Sequence, residues 1–141
     1  MTHDAASARL VTVVVDVANV MGSRPDGWWK DRPGAATRLL AGLPGLVDQD
    51  VAGPDGEALR IARIIAVVEG AAKAATAPDG VDVVQAPTDG DSSIVAAADE
   101  ALADGSGARV LVVTADRGLR ARLADGVLVA GPGWLNSLLG R

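Results

Sequence analysis

Residues 10–15 (LVTVVV) form an unbroken aliphatic, β-branched run, the pattern of a strand covered on both faces. Runs of the same kind return at 61–68 (IARIIAVV), 81–86 (VDVVQA), 110–114 (VLVVT) and 127–130 (VLVA). Between them the apolar spacing changes to a helical period, over 33–43, 91–105, 115–126 and 131–141. In the second of these, Ile94, Val95, Ala98, Ala101 and Leu102 share one face while Asp99, Glu100 and Asp104 take the other. Buried strands joined by helices with right-handed crossovers predict a three-layer α/β/α sandwich with a mainly parallel sheet of about five strands, in the order 3-2-1-4-5. The stretch 44–60, rich in Gly, Pro and Asp, reads as a surface loop and not a domain boundary. Residues 1–141 are therefore expected to form a single domain, with a flexible segment at 1–9.

Composition narrows this picture. A 49% hydrophobic content supplies a continuous core, yet the chain has no Phe or Tyr, so that core must be Val, Leu, Ile and Ala. The aromatics are Trp28, Trp29 and Trp134 alone. The absence of Cys excludes disulfides and thiolate zinc sites, and the single His3, in the polar N-terminal segment, argues against histidine-based catalysis. No basic stretch precedes an apolar signal core, and no apolar run approaches the roughly 20 residues of a membrane span, which points to a cytoplasmic protein without a membrane partner. A net charge of −5 argues against broad electrostatic capture of nucleic acid but leaves room for a local basic rim. The bias towards Arg over Lys suits phosphate contact, although high-GC codon usage alone accounts for it.

The candidate chemistry sits where the strands end. Asp16 and Asn19 follow the first strand, Glu69 the second, Asp89 and Asp91 the third, and Thr114 and Asp116 the fourth. In an open α/β sheet these positions form the crevice at the carboxyl edge, and the expected order brings Asp16 and Asp116 together at its switch point. Gathered carboxylates repel one another and raise each other's pKa unless a cation neutralises them, and an all-oxygen set suits Mg²⁺ or Mn²⁺. Such an ion activates water for attack on a phosphodiester. Plainer roles compete: Asp91 and Asp116 as helix caps, Asp89-Gly90 as a turn, Asn19 folded onto nearby backbone. Arg24, Trp28, Trp29 and Lys30, beside Arg32, fit base stacking next to phosphate contacts, or else cover core or a homodimer partner. Ser92, Thr114 and Arg117 complete the candidate substrate contacts, while Arg120 and Arg122 read as a solvated face and Trp134 as a helix anchor.

The segments VVVDVANVMG (13–22), AVVEG (66–70), TDGDSSIVAAADEAL (88–102) and VVTADRGLRARL (112–123) resemble the NYN-domain branch of the PIN-like ribonuclease superfamily, in a small actinobacterial-type single-domain form. The resemblance implies a metal-dependent ribonuclease acting on single-stranded or structured RNA. It places Asp16, Asn19, Asp91 and Asp116 in catalytic positions, with Asp16, Glu69, Asp89, Asp91 and Asp116 as metal ligands. The chain departs from the D-G-x-N pattern of such first strands at Val17, which lacks the backbone freedom of Gly. The expected function is Mg²⁺- or Mn²⁺-dependent RNA hydrolysis. The alternatives are a catalytically weak RNA-binding or scaffold module of the same fold, and a hydrolase of free nucleotides such as a nucleoside triphosphate pyrophosphohydrolase.

Overall fold

A computed structural model describes residues 8–141. His3 and the segment 1–7 lie outside the described residues, and the first strand, β1, spans Arg9–Asp16. It leads directly into α1 (Val17–Gly22), then α2 (Arg32–Gly42). A short β2 (Asp50–Ala52) precedes β3 (Ala58–Val68) and β4 (Asp82–Gln85). The remaining elements are α3 (Gly90–Leu102), β5 (Arg109–Val113), α4 (Arg117–Arg122), β6 (Leu128–Ala130) and α5 (Pro132–Leu139). No helix among the described residues is long and apolar enough to cross a membrane.

The five long-range parallel strands lie in the order β4-β3-β1-β5-β6, which is the 3-2-1-4-5 order expected from the sequence. The sheet also has a sixth strand. β2 pairs antiparallel with the first residues of β3, on the edge whose other half carries β4, so the stretch 44–60 is not simply a loop. Its Gly53-Pro54-Asp55-Gly56 turn closes a hairpin, with Gly53 N–H donating to the Glu57 carbonyl at 2.8 Å and Gly56 at φ 89°. The left-handed backbone at Gly56 is what the turn requires of a glycine.

Helices cover both faces of the sheet. On one, α1, α2 and α5 pack Val20, Leu39, Leu40 and Leu135 against Val11, Val13 and Val15 of β1. On the other, α3 and α4 pack Ile94, Ala98 and Leu119 against Val14, Val110 and Val112. A register shift between β1 and β3 pairs Val11 with Ile61 but Thr12 with Arg63. The extra residue lets odd-numbered Leu59 and Ile61 and even-numbered Ile64, Ala66 and Val68 face the same core, since one added residue reverses the alternation of a strand. Leu111 is fully buried at the centre of β5. Leu111→Ala is expected to cost about 2–5 kcal/mol of stability, measured by urea unfolding.

Candidate active site

Each site residue stands at a junction between a strand and the helix that follows it. β1 has no loop after it: Asp16 is both its last residue and the N-cap of α1, its Oδ1 accepting from the Asn19 N–H at 3.3 Å. Val17 therefore adopts helical backbone and buries its side chain in the core, so the freedom of a glycine is not needed there. The short helix α1 was not evident in the sequence, because the valines of VANVM continue the apolar run of the strand.

Asp16 is only 8% exposed, an unusual position for a carboxylate. Its second oxygen accepts a hydrogen bond from the Thr114 hydroxyl at 2.9 Å. Thr114, itself fully buried, also accepts from the Asp116 N–H at 3.1 Å. The Asn19 side chain crosses the same gap, its Oδ1 accepting from the Ala115 N–H at 2.8 Å. The ends of β1 and β5 are thus tied together by two bonds, with Thr114 as the shared partner of both aspartates. Thr114→Val keeps the shape and removes the hydroxyl, and is expected to cost about 1–3 kcal/mol, read as a lowered urea midpoint.

The remaining acids occupy the rim beside this knot. Glu69, at the end of β3, accepts from the Gly90 N–H at the start of α3. A Cβ at Gly90 would stand 2.7 Å from that carboxylate and push the end of the Glu69 side chain aside. Asp89 is the N-cap of α3, accepting from the Ser92 N–H at 2.8 Å and from its hydroxyl at 3.3 Å. Asp116 caps α4 through the Leu119 N–H at 3.0 Å. The cap of α3 is therefore Asp89, not Asp91. Asp91 stands in the first turn of that helix, half-buried, and its carboxylate accepts no hydrogen bond among the described residues.

Electrostatics ties these groups into one cluster. Burial pushes Asp16 up from the usual carboxylate value, against the pull of the Thr114 and Asn19 hydrogen bonds, with Asp91 and Glu69 adding to the rise. Asp91 is also raised, by burial first and then by the charges of Asp116, Asp89 and Glu69, with Arg122 opposing. Asp89 is lowered, chiefly by the Ser92 backbone bond. Because the fold binds the Asp16 proton more tightly than the unfolded chain does, stability falls as pH rises from the unfolded value of 3.8 through the raised folded one. Asp16→Asn is expected to melt higher than the wild type at pH 7, the gap closing as the pH is lowered towards 3.8, followed by thermal denaturation across pH.

The basic and aromatic candidates divide. Arg120, expected to be solvated, donates from Nη2 to the Thr114 carbonyl at 3.0 Å, and Arg122 donates to the Ser92 hydroxyl at 3.3 Å. Arg117 is exposed beside Asp116. Trp28 packs partly against the core, with the Arg32 guanidinium 5.3 Å from its ring centroid, while Trp29 is exposed and meets it edge-on. Lys30 is exposed at the end of the same turn. Trp134 anchors its helix as expected, its indole donating to the Ala52 carbonyl at 2.9 Å. Trp28, Arg32, Glu69 and Asp89 line one cleft of about 440 Å³. Trp28 and two acids of the rim thus face the same space.

Among the described residues, no three Asp, Glu, His or Cys side chains stand in cation-binding geometry. The donor chemistry nevertheless suits a hard cation: the candidates are all carboxylates, and Asp16 and Asp91 carry a mutual repulsion that a positive charge would relieve. Mg²⁺ keeps several of its waters and is commonly held by one or two carboxylates together with substrate phosphate, so a complete protein cage is not required.

No protein-family model matches the chain, and no curated protein matches it. Among solved structures it is similar to a variant of Rae1 (YacP) from Bacillus subtilis, with a TM-score of 0.67, covering 92% of this chain and 74% of that one at 19% identity. At that identity the likeness establishes the fold alone, an α/β sandwich with a central, mainly parallel sheet.

Proposed function

We propose that the protein is a ribonuclease that hydrolyses RNA phosphodiester bonds with the help of Mg²⁺ or Mn²⁺ at the carboxyl edge of the sheet. The observation that carries this reading is the electrostatic cluster of Asp16, Glu69, Asp91 and Asp116, delivered from four separate segments to one rim. Asp91 weighs most within it, since capping accounts for Asp16, Asp89 and Asp116 but leaves Asp91 without a structural partner. The PIN-like sandwich and the sequence resemblance to NYN-domain proteins support the same assignment.

In this reading one or two of Asp16, Asp91 and Asp116 would hold the ion together with a substrate phosphate, with Glu69 or Asp89 assisting through its waters, and the ion would supply an activated water and charge stabilisation. Thr114 and Asn19 fix where the Asp16 carboxylate stands, so that no free energy is spent ordering it when substrate arrives. Arg117, exposed next to Asp116, is placed to meet a substrate phosphate, and Trp28 and Trp29 offer ring faces and edges to bases.

A second reading, an RNA-binding module that does not cut, draws on one specific feature: both Asp16 oxygens are already engaged by Asn19 and Thr114. A single assay separates the two. With single-stranded and hairpin RNAs, the nuclease reading expects cleavage that requires Mg²⁺ or Mn²⁺, stops with chelator, and falls at least a hundredfold in both Asp16→Asn and Asp116→Asn. Cleavage at wild-type rates in those variants would remove the acidic rim from the chemistry. Binding without any product would favour the second reading, and turnover of nucleoside triphosphates in place of RNA would move the activity to free nucleotides.

A further inference from the structure

Beyond the acidic rim, three arginines from distant parts of the sequence line a second cleft. Arg24 lies on the segment after α1, Arg38 on the exposed side of α2, and Arg141 beyond α5; together with Met21, Asp26 and Trp28 they enclose about 240 Å³. Asp26 is the sole acid in this lining, and it reaches Arg141 at 3.7 Å. In a chain with 13 basic and 18 acidic residues, three cations against one anion is a local reversal of sign. Arg141 is held below its usual value by burial and then by the charges of Arg24 and Arg38, so the arginines repel one another as they stand. The Arg141 Nε–H is buried and has no acceptor among the described residues. An anion with several oxygens answers the excess and mutual repulsion of positive charge, and the planar guanidinium fork matches phosphate geometry.

The placement of this cleft gives it a use. Met21 and Trp28 line both it and the cleft that carries Glu69 and Asp89, so the basic and acidic spaces are neighbours with Trp28 between them. We propose that Arg24, Arg38 and Arg141 form a phosphate-binding subsite that grips an RNA strand on one side of Trp28 while the strand runs past the indole to the acidic rim. The proposal rests on the ribonuclease reading for the identity of its ligand. It explains how a protein of net charge −5 attracts a polyanion to an acidic edge: the grip is local and set to one side.

The test is anisotropy titration of a labelled, 5′-phosphorylated single-stranded RNA with the full chain in chelator, so that no cutting interferes. Arg38→Ala and Arg24→Ala are each expected to weaken binding about tenfold, the loss of one charge-assisted contact. Each should also make the salt dependence shallower by roughly 0.7 in logarithmic slope. Arg38→Lys should recover part of the loss, and Asp16→Asn should bind at least as tightly as the wild type. Inorganic phosphate is expected to compete only weakly; phosphate binding as tight as the RNA would overturn the strand assignment. Unchanged affinity in both alanine variants would overturn the subsite. Arginine-dependent binding in a protein that never cleaves RNA would sink the nuclease reading and leave the subsite standing, whereas cleavage with arginine-independent binding would do the reverse.

Discussion

Asp16 places a carboxylate at the tip of a strand whose valines belong to the apolar core, and it stays there because two bonds meet it from the flanking elements. Thr114 donates to it from the neighbouring strand, 98 residues away, and the first turn of α1 donates from below. A buried carboxylate without such partners would cost several kcal/mol. These bonds also fix the relation between the two central strands at the point where the crossovers diverge, because Thr114 holds the Asp116 backbone as well. The local structure of the candidate site and the closure of the sheet edge are therefore the same set of contacts.

Helix capping and site chemistry draw on the same residues. Where a parallel strand passes straight into a helix, the junction residue is the N-cap, and a carboxylate is favoured there by the orphan N–H groups and the positive end of the helix dipole. Asp16 is such a junction residue, and Asp89 and Asp116 cap their helices in the same way after short loops. Acids at the carboxyl edge are thus partly a consequence of α/β architecture, and their number alone argues little. What capping leaves unexplained is Asp91, raised by burial and then by the charges of its neighbours, and bonded to none of them. Glu69, by contrast, accepts from the first N–H of α3 much as a cap does, in an approach that a Cβ at Gly90 would crowd.

The strand order was legible because the five apolar runs are short, β-branched and separated by helical periods, and the acids at their ends could be named from position alone. Two elements were not. The turn of α1 hides in VANVM because a buried helix and a buried strand share the same apolar signature over so few residues. The β2–β3 hairpin hides in 44–60, where the Pro-Asp-Gly turn signal was present but its first strand is only three residues long. Thr114 was named as a substrate contact, and its position as the hydrogen-bond partner of Asp16 depends on a side-chain direction that no sequence pattern reports. Arg38 and Arg141 escaped notice for a related reason: they converge only once α2 and α5 pack on the same face of the sheet.

The arrangement of charge follows from this division of the two faces. The acidic rim is built from the ends of strands, where the sheet brings together positions far apart in sequence. The arginine cleft is built from α1, α2 and α5, which share one core beneath it. Trp28 stands where those two constructions meet, half in the core and with one face covered by Arg32. An indole there supplies bulk without charge between the two clefts, lining both. Separate cation and anion pockets on either side of an aromatic are what a polyanionic strand needs if its phosphates are to be held by arginine at one point and exposed to carboxylate-bound chemistry at the next.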